Sequence, residues 1–170
     1  QEGDSLITAK SGVVIGVLTA DCAPILMVDS KAKVIAAVHA GWRGALAGIT
    51  QTTIKSMISL GANPDKITAA IGPCIGPNSY KIGPDLMEVF LKKDRKNEIY
   101  FSRKTPVDQF SFDLGAYVAS CLKSEGIEEI EVLNFDTYPD SAQFFSHRRS
   151  IESGKQQSGR QISAISLISS

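Results

Sequence analysis

Cys22 and His39 each close an apolar run and are followed by a break: Gly16-Val-Leu-Thr-Ala-Asp-Cys22, and Val34-Ile-Ala-Ala-Val-His39-Ala-Gly-Trp-Arg-Gly44. Where two such runs lie side by side as strands, a thiol and an imidazole stand at one end of a rigid sheet. That soft donor pair suits zinc. The chain holds two histidines in 170 residues. A catalytic zinc takes three protein ligands and keeps a fourth position for water or substrate, so the pair alone is an incomplete site. The same residues have a metal-free reading, a cysteine hydrolase with Cys22 as nucleophile and His39 as base.

His39-Ala-Gly-Trp-Arg-Gly44 sets two glycines and an arginine immediately before a helical pattern. Glycine lets the backbone approach a ligand, and free N–H groups at a helix start attract anions, so Arg43 reads as a phosphate ligand. The competing reading is a tight strand-to-helix turn with Trp42 in the core and Arg43 in a surface ion pair. A second turn, Ile71-Gly-Pro-Cys74-Ile-Gly-Pro77, is stiffened by proline and suits a site wall. Cys74 is either a nucleophile there or a small buried hydrophobe. Phe144-Phe-Ser-His147-Arg148-Arg149 and Gly159-Arg160 bring together rings and guanidinium groups that can stack on a base or clamp phosphate. The other reading makes the phenylalanines core and the arginines solvated. His147 alternates with Phe145, which on an extended segment puts both on one face.

The elements that must position these groups follow from periodicity. Val13–Leu18, Ile25–Val28, Val34–His39, Ile67–Ile71, Ile130–Leu133 and Ile162–Ile168 read as strands. Helices are expected over Gly44–Leu60, from Leu114 to Leu122 before Gly126, and around Met87–Leu91 after Pro84. Cys121 lies on an apolar helix face and reads as core. Lys92–Lys104 and Glu152–Gln161 read as exposed loops. With no repeat or linker, the pattern is one domain over residues 1–170, of α+β class with mixed sheets and packed helices. Eighteen basic against eighteen acidic residues give no footprint for nucleic acid or an anionic membrane. No run reaches membrane-spanning length, and no signal peptide opens the chain. Three cysteines, an odd number, argue against a disulfide framework and for a reducing, cytoplasmic setting.

Thr19-Ala-Asp-Cys22-Ala-Pro24, Val38-His-Ala-Gly-Trp-Arg-Gly44, Ile71-Gly-Pro-Cys-Ile-Gly-Pro77 and Phe144-Phe-Ser-His-Arg-Arg149 with Gly159-Arg160 occur in this order. Together they resemble the YfiH/laccase-domain family over essentially the whole chain. Members of that family, long labelled polyphenol oxidases or multicopper laccases, are regarded as zinc-dependent purine nucleoside phosphorylases with an adenosine deaminase side activity. The resemblance implies phosphorolysis of adenosine, inosine or methylthioadenosine, with a purine nucleoside and phosphate as partners. Cys22 and His39 become two of three zinc ligands, and Arg43 the phosphate ligand. Asp21, Cys74, Arg148, Arg149 and Arg160 become further substrate-binding candidates. The family's third ligand is a histidine in a Gln-Val-His-Gly type segment, expected upstream of Gln1. The chain therefore reads as N-terminally truncated, metal-poor and inactive alone. His147 stands where the family more often has tyrosine. Multicopper chemistry needs many histidines, and two, or three with one restored, do not furnish it. A non-enzymatic nucleoside-binding module is the remaining alternative.

Overall fold

Short runs rich in Val, Ile and Ala become strands here, and segments with apolar residues three and four apart become helices. The computed structural model describes residues 3–104, 109–155 and 157–168. It runs β1 (Ser5–Thr8), β2 (Val14–Thr19), β3 (Ala23–Asp29), β4 (Val34–Ala40), α1 (Trp42–Ala47), α2 (Ile49–Ser59) and β5 (Ile67–Ile71). There follow β6 (Lys81–Ile82), α3 (Pro84–Lys93), β7 (Phe101–Lys104), β8 (Gln109–Phe112), α4 (Leu114–Ser124), β9 (Glu129–Val132), α5 (His147–Glu152) and β10 (Gln161–Ser166).

Strand order in the main sheet is β1-β4-β3-β5-β9, antiparallel except for the β5–β9 pair. Val34, Ala36, Val38 and Ala40 of β4 join one buried cluster with Ile54 and Met57 of α2 and Leu114, Val118 and Leu122 of α4. Successive strand residues point to opposite faces, so Ile35, Ala37 and His39 share the other side. There β4 meets the two-stranded sheet of β2 and β10, which leaves Ile35 and Ala37 fully buried. The outer side of that small sheet exposes Val14, Leu18 and Ile162. A third sheet, β6-β8-β7, carries Phe101 and Phe112, which stack on each other and pack against Phe90 of α3. The expected α+β class, with mixed sheets and packed helices, is what these elements form. Among the described residues no helix is long and apolar enough to cross a membrane.

Four sequence expectations are corrected. The helix read over Gly44–Leu60 is two helices, because Gly48 adopts φ 91° and turns the chain between α1 and α2. Most of the Lys92–Lys104 stretch is exposed yet regular: Arg95–Tyr100 is a 3-10 helix, and β7 follows because Phe101 is drawn onto Phe90 and Phe112. His147 opens α5 instead of lying on an extended segment, since Ser146 caps that helix by accepting the Arg149 N–H at 3.2 Å. Within the polar stretch Glu152–Gln161, Glu152 ends α5 and Gln161 opens β10, while Gln156 lies outside the described residues. The strands β1, β6 and β8 were not anticipated.

Asp29, fully buried at the end of β3, ties the β3–β4 turn to the segment after α2. Its Oδ1 accepts the N–H groups of Lys31 and Ala32, and its Oδ2 accepts that of Asn63 at 2.9 Å. Burial opposes the charge, but these three donors outweigh it and hold the carboxyl below its ordinary value. A lowered folded value means the carboxylate stabilises the fold at neutral pH. That contribution is lost as pH falls from the unfolded value, about 4, through the folded one. Asp29→Asn should therefore lower the unfolding free energy by about 1–3 kcal/mol at pH 7. In urea titrations the deficit should shrink as pH drops below about 4.

Candidate functional site

Between β2 and β3 the chain reverses through Ala20-Asp21-Cys22, and Asp21 is forced to φ 79°. Few non-glycine residues tolerate that region, and aspartate is among them because its short polar side chain bonds locally. Asp21 is buried, and each of its acceptors is used. Oδ1 accepts the Thr137 hydroxyl at 2.7 Å, Oδ2 accepts the Ser146 hydroxyl at 3.0 Å and the Arg148 N–H at 2.7 Å, and its carbonyl accepts the Ile75 N–H at 2.9 Å. One residue thus gathers the β2–β3 turn, the Cys74 loop, Thr137 and the start of α5.

These segments enclose a cavity of about 480 Å³ whose wall includes Asp21, Cys22, His39, Trp42, Arg43, Ile75, Tyr80, His147 and Arg148. Pro24 pairs with His39 across β3 and β4, which brings Cys22 to the same sheet end. The Cys22 Sγ lies 3.0 Å from where a Cβ on Gly41 would stand, so only glycine leaves the thiol its place. Burial first, then the carboxylate of Asp21, hold this thiol above its ordinary value; Arg160 pulls it down and Asp4 pushes it up. His39 Nδ1 lies 3.0 Å from Asp4 Oδ1, and the His39 N–H donates to the Asp4 carbonyl at 2.7 Å. A carboxylate only accepts, so in neutral His39 the proton is on Nδ1 and the lone pair on Nε2. Burial leaves the thiol unactivated on its own, while the Asp4 bond leaves Nε2 of His39 free either to bind a metal or to act as a base.

Thiolate and imidazole with a carboxylate behind the imidazole is the chemistry of a zinc donor set. Cys22 and His39 fit two positions of it. Among the described residues no three His, Cys, Asp or Glu side chains group to hold a metal ion, although His147 lines the same cavity.

Two arginines face the cavity from aromatic supports. The Arg43 guanidinium lies 4.5 Å from the Trp42 ring centroid, and that of Arg148 lies 5.7 Å from the Tyr80 centroid. Arg148 also donates to the Lys81 carbonyl at 2.9 Å. Neither is ion-paired to a carboxylate among the described residues. Trp42 is half-buried, reaching Phe90 as well as the cavity.

The remaining candidates lie off this wall. Cys74 is buried, held above its ordinary value at about 12, chiefly by burial and then by Asp113 and Asp136, and borders a separate cavity of about 560 Å³. Its loop neighbour Ile75 is the one that reaches the site. Arg149 donates to the carbonyls of Thr137, Tyr138 and Phe144, which fixes the turn before α5. Arg160 donates to the carbonyls of Ser158 and Gly159 and acts on Cys22 through its charge. Asp4 and Tyr80 were given no role by sequence reasoning, for Asp4 reaches His39 only through the β1–β4 register.

An α+β domain thus gathers a thiol, an imidazole and two aromatic-borne guanidinium groups around one sheet-end cavity, the layout of a small-molecule site. The chain belongs to the family described as multi-copper polyphenol oxidoreductase laccase, which matches residues 1–168. A protein named purine nucleoside phosphorylase RC0672, from Rickettsia conorii, is 34% identical over 149 residues, covering 88% of this chain and 61% of that protein. Adenosine deaminase RL5, from an unknown prokaryotic organism, is 35% identical over 155 residues, covering 89% and 59%. The crystal structure of Neisseria meningitidis protein NMB0706 superimposes with a TM-score of 0.87 at 30% identity, covering 99% of this chain and 66% of that one. The chain thus spans about three-fifths of the length of these curated relatives.

Asp21 supplies the prediction. Asp21→Asn turns one acceptor into a donor facing donors and should cost about 2 kcal/mol of stability, and Asp21→Ala about 3 kcal/mol. Urea denaturation measures both. A loss below about 0.5 kcal/mol in the alanine variant would refute the hub role.

Proposed function

We propose that the chain carries the catalytic cavity of a zinc-dependent purine nucleoside phosphorylase with adenosine deaminase side activity. The observation that carries this reading is the meeting, in one cavity, of a soft donor pair with two guanidinium groups that no described carboxylate neutralises. The names borne by the relatives lend it support. Phosphorolysis breaks the bond from the ribose anomeric carbon to the purine nitrogen and forms one from that carbon to a phosphate oxygen. The sugar becomes cation-like while negative charge grows on the departing base. Arg43 and Arg148 hold the phosphate, each stiffened by its ring, so little freedom is lost on binding. Ile75, Leu114, Trp42 and Tyr80 give the nucleoside a largely apolar wall. Asp21 positions Arg148 through its backbone N–H.

Cys22 and His39 would hold two positions of the zinc, with Asp4 fixing the tautomer that leaves Nε2 free to bind. Bound there, zinc supplies Lewis acidity and a more acidic water, which serves the deaminase side activity. The two histidines of this chain do not by themselves furnish the many-histidine copper set of a laccase. The reading places the enzyme in the cytoplasm, with neither nucleic acid nor membrane as partner.

Active protein incubated with inosine, adenosine and methylthioadenosine, with and without phosphate, should release free base and sugar 1-phosphate only when phosphate is present. Release that ignores phosphate would refute phosphorolysis. Arg43→Ala should raise the KM for phosphate about tenfold while the KM for the nucleoside changes little. Cys22→Ala or His39→Ala should abolish zinc retention, read by elemental analysis, without unfolding the protein.

A further inference from the structure

Tyr80 lines the cavity with its position fixed from several sides. Its N–H donates to the Gly76 carbonyl at 2.9 Å, and its own carbonyl accepts the Phe112 N–H at 3.1 Å. The ring meets that of buried Phe112 at 5.8 Å between centroids and carries the Arg148 guanidinium at 5.7 Å. Phe112 lies 4.8 Å from Phe90, which backs Trp42 at 6.4 Å. Both aromatic residues of the cavity wall therefore grow from one buried aromatic cluster, and neither ring can swing away without disturbing it.

The phenol end is different, because its hydroxyl forms no hydrogen bond with a described residue. The groups acting on it are those of the cavity. Burial is foremost in pushing it up to about 12, Cys22 and Asp21 add to the rise, and Arg148 and Arg43 oppose it. It stays a neutral O–H at physiological pH. Phosphate already has two guanidinium partners of far greater strength. A neutral donor on an apolar wall instead matches the neutral acceptors of a nucleoside, its ring nitrogens and ribose oxygens, while an aromatic face matches its base.

We infer that the Tyr80 hydroxyl donates a hydrogen bond to the bound purine nucleoside, and that its ring, with Trp42, forms the flat wall along which that nucleoside lies. This inference rests on the nucleoside reading of the cavity.

The test compares Tyr80→Phe, which removes one oxygen, with Tyr80→Leu, which removes the ring. Inosine and, separately, inorganic phosphate are titrated into the parent protein and each variant by calorimetry. Tyr80→Phe should weaken inosine about tenfold and change phosphate by less than about twofold. Tyr80→Leu should weaken inosine further and phosphate as well, because Arg148 loses its support. Inosine bound as tightly by Tyr80→Phe as by the parent would overturn the inference alone. Equal weakening of both ligands in Tyr80→Phe would also overturn it, by showing a general disturbance. A parent that binds phosphate but not inosine would overturn the nucleoside reading and the inference with it, and this is seen before any substitution is made. Thermal unfolding checks both variants, and Tyr80→Phe suffices if Tyr80→Leu does not fold.

Discussion

A buried carboxylate at a left-handed backbone position is the constraint on which the rest of the site depends. Asp21 reaches 116 positions along the chain to Thr137, 125 to Ser146 and 127 to Arg148. Burying such a group unpaired is costly, so the fold is committed to bringing these donors to it. The same contacts fix the direction of α5, and α5 delivers His147, Arg148 and Ile151 to the cavity. Three bonds already engage its carboxylate, one at Oδ1 and two at Oδ2, so most of its acceptor capacity goes into holding these segments together. Its part is to build the wall.

The cavity's electrostatic character follows. Asp4 is engaged with His39 and Asp21 with its donors, while Arg43 and Arg148 rest on rings with no described carboxylate beside them. Two carboxylates and two guanidinium groups thus share the wall, so any hold on an anion comes from where Arg43 and Arg148 stand and not from a net positive charge. A whole-chain charge of zero is blind to a local arrangement of this kind.

What the sequence made legible was whatever local pattern alone decides. The central strands were readable because they are continuous apolar runs, and Cys22 and His39 because each ends one. Strands β1, β6 and β8 were not, since their residues form strands only once a partner's register is in place. Gly48 fell inside the expected helix, and nothing in the local pattern marked it as the left-handed residue that divides it. Asp4 and Tyr80 escaped notice for the same reason as β1: their chemistry comes from neighbours far along the chain. Arg149 and Arg160 looked like Arg148, and what separates the three is that Arg148 reaches the cavity over the Tyr80 ring while the other two are spent on loop carbonyls.

Trp42 is the single tryptophan of the chain, and it stands on the cavity wall with the Arg43 guanidinium 4.5 Å from its ring centroid. Light absorbed at the red edge of the protein band is therefore taken up by one indole at one place. Its emission responds to the polarity and charge beside the ring, so an anion that draws Arg43 aside, or a flat ring laid against the indole, changes the signal while the fold stays as it was. The molecule has a built-in optical probe of its own cavity, free of background from any other tryptophan.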